Sequence, residues 1–343
     1  MTFEMVDPAE REGWDRAILR LKEPSIFHSA AWAKVLSRSY GYRPRYQVRL
    51  EHGEIAGLLP VLEVRSLATG CRGVSLAFSD FCEPIARDAA TFDELLGRAV
   101  DYGRGAGWRY LELRGGERFL PGVPPFASYV GNRVDLSEGE PALWRRFSGN
   151  TRRNIEKAVA QGVVTTRSRS LEAVREFYRL HCLTRKRHGV PPQPLCFFEN
   201  LHRFLIEPGL GTVVLAAHQG RPVAGGLYLC FGATLLYKFG ASTLEDRNLR
   251  ANNLVMWDAI RWGIENGAGV LSLGRTDCGD EGLRRFKRGW GGTESVISYY
   301  RYDLKDGCYR EPLPPGGGGR RVLNRLPVAL LRCIGAICYR HVG

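Results

Sequence analysis

The segment SLGRTDCGDEGLRRFKRGWGG gathers residue types suited to acyl and anion chemistry. An apolar strand is expected to end at Gly274, which delivers Arg275 and Asp277 to a sheet edge, where open α/β sheets hold their ligands. Lys287 follows, flanked by Phe286 and Trp290 and by a glycine turn. A held ammonium there can stabilise negative charge developing on a carbonyl oxygen. Arg284, Arg285, Lys287 and Arg288 read equally well as one solvated face. With a catalytic role, Lys287 is expected in a cleft between two domains, and Lys287→Met is expected to leave the melting temperature nearly unchanged.

Arg152 and Arg153 stand at the start of the helical pattern NTRRNIEKAVAQG, with Asn150 or Thr151 as the expected N-cap and Gly162 as the stop. Helix starts favour anions, and arginine forks suit phosphate. Together with Arg275, the pair is expected to bind an anionic substrate, with a solvated helix face as the alternative. His181 and His188 lack companions for a metal site or a triad, so structural or solvent-facing roles are expected. Asp277, Asp280 and Glu281 match no calcium loop and read as turn and helix-start residues.

These side chains need a scaffold, and the chain supplies one twice. YQVRLEHGEIAGLLPVLEV and TVVLAAHQGRPVAGGLYLCF both alternate with period two around a glycine turn, which predicts antiparallel hairpins. Each is followed by a helical pattern, FDELLGRAVDYGRGAG or LVMWDAIRWGIENGAG, and then a strand, YLELRGG or VLSLGRTD. Gly53 and Gly57 correspond to Gly220 and Gly225, and Leu111 and Leu113 to Leu271 and Leu273. The fold class expected is α/β: two tandem acetyltransferase-like domains with mixed, mostly antiparallel sheets and flanking helices. The expected boundaries are 1–143, 144–310 and a linker and tail over 311–343. In the tail, EPLPPGGGG reads as a flexible linker. The apolar run over 326–339, with Arg325, Arg332 and Arg340 around it, could rest on an anionic membrane or pack onto its own domain.

The chain has 343 residues, and its 49 Lys and Arg against 36 Asp and Glu give a net charge of +13. That surplus favours an anionic partner: nucleic acid, a nucleotide- or lipid-linked substrate, or an acidic lipid surface. Nine cysteines without a CxxC pair argue against zinc and redox motifs. Free thiols suit a reducing compartment. The N-terminus shows no signal-peptide pattern, and no apolar run is long enough to span a bilayer. The expected location is cytoplasmic, with peripheral contact at the inner membrane face, as a monomer or weak dimer.

The motifs TRRNIEKA, LTRKRHGVPPQP with FFENL, YKFGAS, and LGRTD with GLRRFKRGWGG resemble the Fem-type family, the peptidoglycan-bridge aminoacyltransferases with twin acetyltransferase folds. The resemblance spans 144–300, more weakly 27–116, and looks closest to Fem-like proteins found with exopolysaccharide and exosortase systems. It implies attack of an amine on an aminoacyl ester of tRNA, with Lys287 as the assisting lysine. Tyr237, in YKFGAS, and Trp290, which neighbours Lys287, are expected beside the substrate. Asp80, in LAFSDFCEP, is a candidate proton acceptor; a turn-forming role is the alternative. No inserted coiled-coil arm of the kind some Fem enzymes use against tRNA is visible. No tightly bound cofactor is expected. Acyl-CoA, the alternative donor, would need a glycine-rich phosphate cradle before the central helix. There the chain has EDRNLRANNLVMW, with Arg247, Arg250, Asn252 and Asn253 and no glycine. A non-catalytic scaffold of polysaccharide assembly is the third reading.

Overall fold

The computed structural model describes residues 2–312 and 323–343; the linker expected over 311–319 lies mostly outside them. The chain divides into two compact units. The first takes the chain up to Tyr129, the stretch from Val296 to 312, and Cys338–Gly343; the second takes Val130–Ser295 and residues 323–337. The expected boundary at 143/144 is thereby corrected, because strands Ala127–Asp135 and Thr293–Asp303 each pass from one unit to the other. Within the first unit, Tyr299–Asp303 pairs antiparallel with Tyr110–Arg114, and Arg301 donates to Glu112 at 2.7 Å.

In the first unit the hairpin Tyr46–Glu51/Glu54–Leu59 turns at Gly53, whose φ of 83° is cheap only for glycine. With Thr2–Val6 it forms a three-stranded sheet. A second sheet runs Arg43–Pro44, Leu62–Ser66, Gly70–Val74, Tyr110–Arg114, with Gly70–Val74 and Tyr110–Arg114 parallel. Helix Ala89–Gly105, N-capped by Asp88, crosses between those parallel strands. Gly57 lets Thr91 and Leu95 of this helix close onto the hairpin: a Cβ there would meet Thr91 at 2.9 Å.

In the second unit, strands Val164–Ser168, Gly211–His218, Arg221–Phe231, Thr234–Ser242 and Val270–Asp277 lie side by side. All these pairings are antiparallel except the last, which is parallel. The hairpin turns at Gly220, φ 75°. Helix Ala251–Glu265 provides the crossover, burying Leu254, Val255, Met256, Ala259 and Ile260 with Tyr228, Leu235 and Trp290. The repeated hairpin–helix–strand block is therefore present in both units. It is not identical: Gly225 faces Phe177 of helix Leu171–Arg187, whereas Gly57 faces the crossover helix.

Helix Leu171–Arg187 carries His181, buried among Phe177, Phe198 and Phe239. Its Nε2 donates to Gln193 Oε1 at 3.0 Å. Burial, and then the Arg185 charge, push the imidazole down to about 3 from 6.5. The folded protein thus holds this histidine neutral while the unfolded chain takes up a proton below pH 6.5. The stabilising effect is complete above 6.5 and is lost as pH falls toward 3, at about 1.4 kcal/mol per pH unit. His181→Leu is expected to flatten the acid side of a denaturant-derived stability–pH curve by that slope; an unchanged curve would show that His181 titrates normally.

Candidate functional site

The two parallel strands of the second unit are paired only over Thr234–Leu236 and Val270–Ser272. Beyond that point both strands continue, to Ser242 and to Asp277, without pairing to each other. Their C-terminal ends therefore part, the place where such sheets admit ligands. Tyr237 is the first residue past the paired stretch. Its ring stands beside Tyr228 at 5.4 Å, its hydroxyl lies over Gly240, and burial pushes that hydroxyl up to about 12. A register shift at Leu227/Tyr228 separates Tyr237 from Phe239, which turns instead to His181, Phe197 and Phe198.

The strand Thr234–Ser242 runs into a loop and then the helix Ala251–Glu265. Thr243 stiffens the loop, bonding Val223 O through its backbone N and Asp246 Oδ2 through its hydroxyl at 2.8 Å. Arg250 closes it at φ 58°, in the left-handed region, and the helix opens there without a side-chain cap. A cavity of about 280 Å³ lies at this helix start, lined among others by Arg187, Arg247, Arg250, Asn252, Asn253 and by one carboxylate, Asp246. Burial, followed by the Arg247 charge, pushes the Arg187 guanidinium below its usual value, with Glu245 opposing. Among the described residues no ion pair joins Arg187, Arg247 or Arg250 to a carboxylate. Clustered cations over uncapped N–H groups make an anion site. Sequence reading named Arg247 and Arg250 but missed Arg187, whose place in the run TRKR at a helix C-terminus looks like simple dipole pairing.

Lys287 sits on helix Glu281–Arg288, which Asp280 N-caps. The lysine is buried, and its ammonium donates to the carbonyls of Gly274 at 3.2 Å and Arg275 at 3.1 Å. The strand does not end at Gly274 as expected but continues to Asp277, with Gly274 at φ 65° inside it. Few residues other than glycine take that conformation readily, so the kink beneath the ammonium depends on Gly274. The helix end is pressed onto a neighbour: Ser148 N donates to Gly289 O, and a Cβ on Gly289 would lie 2.5 Å from Thr151 Oγ1. The solvated-face reading of this basic run is corrected for Lys287, because an amphipathic turn buries it. It fits Arg284 and Arg288, which pair with Glu281 and Glu294.

Arg275 and Asp277 are exposed at the end of their strand. Trp290 is corrected: it is fully buried, packed on Phe147 at 5.0 Å and Phe286 at 6.1 Å, and has no surface to offer a substrate. Arg152 and Arg153 are also corrected. Their helix starts at Gly149, and its first turn is capped by Ser148 Oγ, which accepts from Thr151 N. The arginines stand a turn further along rather than at the open N–H groups. Asp80 belongs to the first unit, on a loop where Leu76 and Phe78 take φ of 52° and 59°, and Tyr299 OH donates to its carbonyl at 2.8 Å. Bulky residues in left-handed conformations store strain, which concentrates at functional loops.

Residues 145–288 match the family model of the acetyltransferase (GNAT) domain. Among solved structures, the crystal structure of FemX covers 89% of this chain and 98% of its own at a TM-score of 0.73 and 16% identity. A tandem GNAT protein from the clavulanic acid biosynthesis pathway, solved without AcCoA, covers 88% and 98% at TM-score 0.57 and 11% identity. L-PGS from Bacillus licheniformis covers 88% and 94% at TM-score 0.54 and 10% identity. At such identities the likeness is one of fold, and the fold is the tandem GNAT-like α/β class. A search of curated proteins finds no match to the sequence. No helix among the described residues is long and apolar enough to cross a membrane.

Proposed function

We propose that the chain is a Fem-like acyltransferase that moves an amino acid from aminoacyl-tRNA to an amine on a cell-wall, polysaccharide or nucleotide- or lipid-linked acceptor, in the cytoplasm. The observation that carries this reading is the parted pair of parallel strands, which opens between a cationic cavity at a helix start and a lysine held over a strand kink. The fold shared with FemX, over 89% of this chain and 98% of that one, is compatible with this reading; the donor and the acceptor class rest on the motif resemblance to the Fem-type family.

In this reaction the acceptor nitrogen attacks the aminoacyl carbonyl. The C–N bond forms, the ester C–O bond breaks, the ammonium formed on nitrogen loses a proton, and the ribose hydroxyl leaves with one. Phosphates beside the ester dock on Arg187, Arg247 and the N–H groups of Ala251 and Asn252. Lys287 fixes the Gly274–Arg275 kink and adds positive charge to the floor where the oxyanion develops.

A second reading has its own support. An uncapped helix start next to arginines would also take the pyrophosphate of an acyl-CoA, without the glycine loop. Purified protein offered an amine acceptor with charged tRNA or with acetyl-CoA separates the two. Turnover is expected with charged tRNA alone. Turnover confined to acetyl-CoA would move the chain to CoA-dependent N-acylation, and neither would leave the scaffold role.

A further inference from the structure

We propose that the C-terminal helix Val328–Cys338 is a docking surface for an anionic phospholipid bilayer. This inference does not depend on the acyl-transfer reading. One side of the helix is used within the second unit. Leu331 is fully buried, and Gly335 lets the backbone come so close to Pro192 that a Cβ would reach its carbonyl oxygen at 2.0 Å. Arg332 lies over the Tyr178 ring at 5.4 Å. Residues beyond the helix are also held: within the first unit Tyr42 OH donates to Tyr339 O at 3.0 Å, and Arg72 donates to His341 O at 2.8 Å.

The opposite side of the helix is uncovered. Ala329, Leu330, Cys333, Ala336 and Ile337 are exposed, with Leu330 at 46% and Ile337 at 66%. Positions 330, 333 and 337 follow helical spacing, so they form one stripe with no charged residue on it. Exposed arginines frame it: Arg325 before the helix, Arg332 on its flank and Arg340 after it. No Asp or Glu follows Glu311 in the sequence, and no ion pair engages these three arginines among the described residues.

That charge pattern selects the occupant. A second copy seated by two-fold symmetry would set this acid-free, arginine-framed strip against itself, cation against cation. A nucleic acid would meet the arginines but not the apolar stripe. A bilayer bearing anionic headgroups satisfies both, taking Leu330 and Ile337 into the acyl boundary and the guanidinium groups onto phosphates. The helix is too short to span. Because it is folded and docked beforehand, binding does not have to order it.

Flotation of the full chain tests this. The probes are vesicles of phosphatidylcholine with about one third phosphatidylglycerol, and vesicles of phosphatidylcholine alone. The wild type is expected to float with the anionic vesicles and about tenfold less with the neutral ones, and to be released by salt. Leu330→Glu with Ile337→Glu alters exposed positions only, so the melting temperature should hold while vesicle binding falls about tenfold. Arg325→Gln with Arg340→Gln should weaken binding to anionic vesicles alone. Failure of the wild type to float, equal flotation of the Glu pair, or a wild-type dimer in size-exclusion that the Glu pair dissociates would each overturn the proposal.

Discussion

Lys287→Met is expected to cut turnover by roughly 10²–10³-fold, the usual loss for one preorganised donor at a developing oxyanion. It is also expected to lower stability, contrary to what the sequence implies. The ammonium is buried and satisfies the carbonyls of Gly274 and Arg275 at 3.2 and 3.1 Å. Methionine fills much the same volume but leaves both acceptors without that donor, at a cost of about 1–3 kcal/mol. The two effects must therefore be read separately. Single-turnover rates taken well below both melting temperatures report chemistry on folded protein alone. A lower melting temperature with an unchanged single-turnover rate would make Lys287 a structural residue and remove it from the mechanism.

The double replacement Arg187→Ala, Arg247→Ala should act on the donor and not on the fold. Hydrogen bonds to charged groups contribute about 1.5–3 kcal/mol each, so the donor KM should rise by at least tenfold, with kcat changed far less. For a nucleic-acid donor, the dependence of affinity on salt should also become shallower by about one to two units of slope. Stability is expected to hold or increase. Arg187 is depressed first by burial and then by the Arg247 charge, both of which the substitution relieves; what is lost is a long 3.4 Å bond from Arg187 to Ser242 O, with no carboxylate ion pair among the described residues. An unchanged KM for both charged tRNA and acyl-CoA would show that this cavity does not hold the donor.

That Lys287 would be held rather than solvated was legible in advance, because a lysine between aromatics and a glycine turn is unusual enough to single out. Its partners were not. That Gly274 would kink inside a continuing strand depends on a left-handed backbone at one residue, and a glycine alone does not announce which conformation it takes. The start of helix Gly149–Ala160 was misplaced by two or three residues because Ser148, Asn150 and Thr151 are all competent caps. Ser148 prevails, with its backbone N bonded to Gly289 O. Trp290 was read as lining a site because it neighbours Lys287 in sequence. The chain turns between them, and the indole packs on Phe147 in the core.

The sequence by itself determined the repeated hairpin–helix–strand block, the turns at Gly53 and Gly220 and the basic character of the loop before the central helix. Each follows from short-range physics: period-two and period-3.6 burial, left-handed glycine turns and local charge. Only the tertiary structure decided that Arg187 joins Arg247, that Lys287 reaches the carbonyls of Gly274 and Arg275, and that Thr293–Asp303 pairs with Tyr110–Arg114. Those associations join residues separated by a dozen to nearly two hundred positions. Their geometry is selected by which surfaces must be buried together, and no local pattern encodes that choice.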